Sequence, residues 1–273
     1  MPPKKKASSS TGKASSSKPV DSWAREQAVS TLNDAKLASD GAKKCEHLKK
    51  LMELVVHKDS ALLDEFLEPL LEMRVDTNTQ VRKTIATLCE QIGKASSDRL
   101  AKCVEAITNL LADESAAVQK AAIKSATTLW TECFHYVLKV QKTETRIPKL
   151  TKDTWKASNN MKNDLKALAL SETANDGVKM QAVRFLEKTL VILGSFSDSS
   201  DTQTVGTAAK KNALLDPDSI ATEADSVLGV LLECLKPEAI QKQASTASLG
   251  TYTSHKILLA FSCSFVTSVS SFS

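Results

Sequence analysis

Aromatic residues make up only 4% of this 273-residue sequence, and glycine occurs only eight times. Both scarcities argue against a large β-sandwich or barrel, whose pleated surfaces want aromatic side chains and whose turns want glycine. No two of the six cysteines (Cys45, Cys89, Cys103, Cys133, Cys234, Cys263) form a C-x-x-C pair. Most fall on apolar helix faces, so they read as reduced core thiols of a cytosolic or nuclear protein. Cys45-x-His47 and Cys133-x-His135 come nearest to metal half-sites, but a structural zinc wants four ligands at short, paired spacings. Packing is the preferred reading, and no cofactor is expected. There is no phosphate-cradling glycine loop, and His47, His57, His135 and His255 lie on separate segments. Their spacing suggests no nucleophile–base pair, so no catalytic residue is expected and the chain is read as no enzyme. The run from Ile257 to Val269 is broken by serines and is shorter than the roughly 20 residues of a membrane span, so no membrane association is expected. The basic start, Met1 to Lys6, leads into a Ser/Ala/Lys tract without the apolar stretch of a signal peptide.

Hydrophobic residues make up 42%, enough for a sizeable core, and Ala, Leu, Lys, Glu and Val dominate. Such side chains lose little rotamer freedom in a helix. The net charge of +4 with a pI near 8.6 is too small to imply nucleic acid by itself. Residues 1–19 are low in complexity and cannot bury enough apolar surface to offset ordering, so they are expected to be a disordered basic tail. Pro2-Pro3-Lys4-Lys5-Lys6 reads either as a nuclear-import patch or as a solvated tail. Helical periodicity follows. Leu48, Leu51, Met52 and Val55 share one face; Leu62 to Leu71 form a broader stripe, with Asp59 as a plausible N-cap. Val81, Ile85, Leu88 and Ile92 make the next face, with Gly93 as a stop signal. Leu100, Val104, Ile107 and Leu111 come after it, then a long segment from Ala116 to about Val140.

Two of these joints are copies of each other. Asp76 precedes Val81 by five positions, as Asp113 precedes Val118, and the two valines are 37 apart. Each valine opens a helix. The period approaches the value of about 40 for HEAT-type units. A third copy, Asn175-Asp176-Gly177-Val178-Lys179, has its valine 60 residues after Val118, so an insertion is expected at about 141–156. One hairpin cannot bury its apolar face alone, whereas stacked neighbours bury a continuous core. The turn aspartates can cap the second helix, and Arg82 can pair with an acidic residue of an adjacent turn. Gln119 holds the place of Arg82 in the second copy, which leaves that ladder incomplete. The expected architecture is all-α: a HEAT-type, armadillo-like α-solenoid over 20–236, with a mobile loop at about 194–214. Asp216-Pro217 is expected to open the last helix by cap and N1 proline. Ser197, Ser199 and Ser200, beside Asp198 and Asp201, are candidate phosphorylation positions.

The block from His57 to Leu67, the joint from Asp76 to Lys83 and the stretch from Asn175 to Glu187 resemble, in that order, the N-terminal HEAT region of the symplekin family. The likeness runs from about Cys45 to Leu235. It implies a nuclear, non-enzymatic scaffold for pre-mRNA cleavage and polyadenylation. Its implied partners are the RNA polymerase II C-terminal-domain phosphatase and subunits of the cleavage and polyadenylation factor. Family members carry a second scaffold region that this sequence lacks, which suggests a truncated product. Residues 237–273 have no HEAT joint and are expected to be divergent.

A helical stack offers partners the second helices of its hairpins. The candidate partner-binding residues are Lys83, Thr87, Lys120, Lys124, Thr127 and Arg184. The resemblance singles out Lys120 as nearest to a partner-binding lysine of the family, against the reading that these lysines merely solubilise a helix face. A second basic cluster, Lys139, Lys142, Arg146, Lys149, Lys152 and Lys156 with Trp155 nearby, suggests RNA contact, against a solvated inserted loop. Trp130, Phe134 and Tyr136 read as core and loop clamps. The alternatives to a processing scaffold are a nucleic-acid-binding helical array and a HEAT adaptor of another pathway.

Overall fold

The computed structural model describes residues 22–58, 60–197 and 213–236. The basic tail, Asp59, residues 198–212 of the expected loop with the candidate phosphoserines beyond Ser197, and the tail from Pro237 with Cys263 lie outside them. Among the described residues every regular element is helical. Two compact units divide near Leu70.

The first unit holds α1 (Ser22–Leu37), α2 (Gly41–Met52), a π-helical stretch at Glu53–Lys58, a 3-10 turn at Ser60–Leu62 and the start of α3 (Leu63–Glu72). Asp40 caps α2 by accepting the Ala42 N–H at 3.0 Å. The buried stripe of α1 is Ala24, Ala28, Leu32 and Ala35. Three alanines let the backbone of α1 lie close to α2, which is its main neighbour. Arg25 forks onto Glu65 (2.6 and 2.8 Å), tying α1 to α3.

The second unit begins near Leu71 and carries α4 (Thr79–Ala95), α5 (Leu100–Leu111), α6 (Ala116–Thr143), α7 (Lys149–Leu170), α8 (Asp176–Ser197) and α9 (Pro217–Cys234). Each helix packs on the one that follows it, and α4, α6 and α8 lie side by side, as do α5, α7 and α9. This two-layered stack of antiparallel hairpins is the all-α, HEAT-type solenoid arrangement. The joint valines Val81, Val118 and Val178 are all fully buried, one at the head of each helix in the α4–α6–α8 layer. Cys89, Cys103 and Cys133 are buried in the same unit, and burial pushes the Cys133 thiol up to about 12.

Three expectations are corrected. Gly93 does not stop α4, which continues to Ala95 and ends at the extended Ser96. Gly93 is instead a point of close approach: a β-carbon there would run into the Leu129 side chain of α6 and lie 3.1 Å from Leu100 Cδ2. Nor is there a loop inserted across 141–156. Residues 141–143 end α6, only 144–148 are irregular, and α7 begins at Lys149. The longer spacing to the third copy is absorbed by two long helices, α6 of 28 residues and α7 of 22. Likewise Gly194 to Ser197 belong to α8, not to a loop.

Candidate protein-docking face

The joints between hairpins are held by hydrogen bonds of their own side chains. Asn78 caps α4, accepting the N–H groups of Gln80 and Val81 at 2.9 and 3.4 Å. Asp76 does not cap the helix directly; it accepts the Asn78 N–H at 2.8 Å and so fixes the capping residue. Asp113 does the same for Ser115, at 2.8 Å.

Arg82 then links neighbouring joints, as its position implied. Its Nε and Nη2 donate to both carboxylate oxygens of Asp113 at 2.7 and 2.9 Å. Its Nη1 donates to the carbonyls of Asp76 and Thr77 at 2.9 and 3.2 Å. Both side chains are nearly dry, 7% and 8% exposed. Burial raises the Asp113 carboxyl, but the Arg82 hydrogen bonds and the Ser115 N–H outweigh it and hold the group below the usual aspartate range. Gln119, at the position of Arg82 in the next copy, donates instead to Leu111 of its own hairpin at 3.1 Å. Lys120 lays its ammonium against Gly177 of the α7–α8 joint, where a β-carbon would sit 2.7 Å from Lys120 Cε. A shallow groove of about 510 Å³ lies over the first of these joints, bordered by Arg74, Asp76, Asn109, Asp113 and Glu114.

The six candidate partner-binding residues all fall on second helices, α4, α6 and α8. Counted from the buried joint valines, Thr87, Lys124 and Arg184 occupy the same register, six residues on, and all three are exposed. Since α4, α6 and α8 are side by side, these positions form a row across the layer. Lys83, Lys120 and Thr127 flank it and are half-buried. Lys83 bonds Gln80 Oε1 at 3.2 Å, and the Thr127 hydroxyl donates to the Ile123 carbonyl at 3.0 Å. Lys120 is the one of the six whose side chain reaches the next joint, at Gly177.

The basic cluster of Lys139, Lys142, Arg146, Lys149, Lys152 and Lys156 gathers at the α6–α7 turn, and all six are exposed. Trp155 does not join them as a base-stacking platform. Its ring packs on Trp130 and Phe134, at 6.3 and 6.2 Å between centroids. Trp130 also stacks on Phe134 at 5.5 Å and meets Phe185 edge-on, while Phe134 meets Phe196, so the cluster joins α6, α7 and α8. Tyr136 clamps the turn by accepting from Thr151 at 3.2 Å. Cys133 is buried in the core whereas His135 is exposed, so that pair does not converge as ligands.

Two polar anchors were not foreseen. Gln141 accepts the N–H groups of Leu214 and Leu215 at 3.0 and 3.1 Å and donates to the Leu215 carbonyl at 2.8 Å. It fastens the entry of α9 to the end of α6. Lys162, 1% exposed on α7, bonds Glu223 of α9 at 3.0 Å, and Lys166 pairs with the same carboxylate. Neither carries a motif; each is visible only once the helices are packed. Asp216 and Pro217 open α9 as expected, with Asp216 accepting the Ser219 N–H at 2.9 Å.

Among the described residues no helix is long and apolar enough to cross a membrane. A crystal structure of an engineered protein is similar at 17% identity over 75% of this chain and 97% of that one, with a TM-score of 0.32, too low to carry an argument. The family profile described as Symplekin/PTA1 N-terminal matches residues 115–258. The matched stretch takes in α6 to α9, with the joint at Val178, and continues past Pro237. With more than half of its length matched, the chain belongs to the symplekin/PTA1 N-terminal family.

Proposed function

We propose that this chain is a non-catalytic scaffold of nuclear mRNA 3′-end processing, and that the α4–α6–α8 layer docks the RNA polymerase II C-terminal-domain phosphatase and holds it near subunits of the cleavage and polyadenylation factor. Family membership supports the processing role. The row of Thr87, Lys124 and Arg184 supports the face: three exposed side chains in one register on adjacent helices, above a packed core. A face whose backbone and turns need no rearrangement loses little ordering entropy on binding. Two of the three side chains are cationic, so the matching patch on the phosphatase is acidic or polar.

Replacing Lys124 and Arg184 together by Glu tests this. Both are exposed, so the melting curve should not move, while the affinity for the phosphatase measured by calorimetry should fall at least about tenfold, the equivalent of about 1.4 kcal/mol. Unchanged affinity in a folded variant overturns the assignment of the face. Lys120 is a poorer probe, since its side chain lies against Gly177 of the α7–α8 joint.

A further inference from the structure

We propose that the α6–α7 end of the stack is a second, separate binding surface that holds the sugar–phosphate backbone of single-stranded RNA without reading its sequence. Residues 139–156 carry six basic and two acidic side chains, a local excess of four that equals the formal net charge of the whole chain. Folding brings this excess to one place. Lys139 and Lys142 lie in the last turns of α6, Arg146 in the connection, and Lys149, Lys152 and Lys156 in the first turns of α7.

The α7 lysines recur at i, i+3 and i+7, which puts them on one face over about 10 Å of helix. The opposite face of the same turns is locked inward by Thr151, Thr154 and Ser158, all fully buried. Asp153 stands at the edge of the lysine face, and among the described residues no ion pair joins Lys139, Arg146, Lys149, Lys152 or Lys156 to a carboxylate.

The chemistry favours a nucleic acid over a protein partner. Protein interfaces are poor in lysine at their centre and want aromatic or apolar anchors. Here the neighbouring aromatic, Trp155, is turned into the core, and the exposed apolar side chain beside the lysines is Leu150. Flexible ammonium groups without a stacking ring suit phosphates, which position a strand and carry no sequence information. The choice of RNA rests on the 3′-end processing reading; the phosphate contact itself does not.

The full chain should bind a fluorescein-labelled uridine 20-mer in fluorescence anisotropy, with an affinity that falls steeply as salt rises. Six phosphate contacts on a single strand correspond to a slope of log K against log salt of about −4. Changing Lys149, Lys152 and Lys156 together to Glu should weaken binding at least about tenfold at low salt and flatten the slope by about 2, one increment of about 0.7 per contact. Circular dichroism checks that the variant keeps its helices. Absence of RNA binding by the parent chain overturns the proposal, and so does a folded variant that binds as the parent does. Displacement of RNA by polyglutamate as readily as by unlabelled RNA of equal charge overturns it too, in favour of an acidic protein partner. A failure here leaves the phosphatase face untouched, because the two sets of substitutions share no residue.

Discussion

Arg82 shows how much of this fold hangs on single polar side chains. A guanidinium and a carboxylate have been taken almost completely out of water, and every direction of the fork is used: two bonds to Asp113 and two to the carbonyls of Asp76 and Thr77. A buried pair of this kind adds little net stability over an apolar replacement, but removing one member strands the other. Arg82→Ala and Asp113→Ala should each cost about 3 kcal/mol in urea unfolding, and the double variant well under the sum. A sum that is simply additive would mean that the two side chains do not act as a unit. The pH dependence follows from the direction of the Asp113 shift. The folded carboxyl is held below the ordinary value, so the unfolded chain takes up the proton at the higher pH. The stabilisation is therefore fully present above about pH 4 and is lost as pH falls through the lower, folded value. Asp113→Asn should flatten that acid limb.

At the scale of elements, legibility depended on which residues form the buried stripe. The α4 and α5 stripes are Val, Ile, Leu and Cys, and the repeat of turn and valine announced where α4, α6 and α8 begin. The register of the Thr87, Lys124 and Arg184 row follows from those same valines, so that row was visible in outline. α1 and α7 were not, because their stripes are written in small and polar residues. The buried positions of α7 are Thr151, Thr154, Ser158, Met161, Lys162, Leu165 and Ala169, helical in spacing but mostly not apolar. The inward turn of Trp155 and the engagement of Lys120 with Gly177 depend on tertiary neighbours and leave no local signal. Lys162 is the sharpest case, a lysine on the inward face of a helix. Burial lowers its pKa and Glu223 works against that. Removing the lysine leaves Glu223 still paired with Lys166, whereas removing the carboxylate leaves a dry ammonium with no counter-charge, held only by the Asn159 side chain at 2.7 Å. Lys162→Met should therefore be near neutral or mildly stabilising, and Glu223→Ala should cost roughly 3 kcal/mol in urea unfolding. The reverse order of costs would show that the Lys162 ammonium is favourable in its own right.

At the scale of the molecule, the unit from Leu71 onward is a stack, and a stack distributes stability by neighbours rather than around one centre. α6 packs against α4, α5, α7 and α8, while the main partners of α9 are α8 and α7. The aromatic cluster sits where α6, α7 and α8 meet, and Trp130, 1% exposed, is at its middle. Trp130→Ala removes the fully buried one of the junction's two tryptophans and should cost about 3–5 kcal/mol. Since α6 is shared by the neighbouring hairpins, the loss should spread: hydrogen exchange should quicken in α4, α5, α6, α7 and α8 together. Leu231→Ala removes a buried side chain from α9 alone, and should cost about 2–5 kcal/mol by the same reasoning. Its effect should stay local, quickening exchange in α9 and leaving α4 and α5 as protected as before, because α9 can open while the hairpins before it stay stacked. Peptide-resolved exchange followed by mass spectrometry reads both variants in one experiment. An equal quickening from α4 to α9 in the Leu231 variant would mean that the unit opens all at once, and the additive, neighbour-by-neighbour account of the stack would have to be given up.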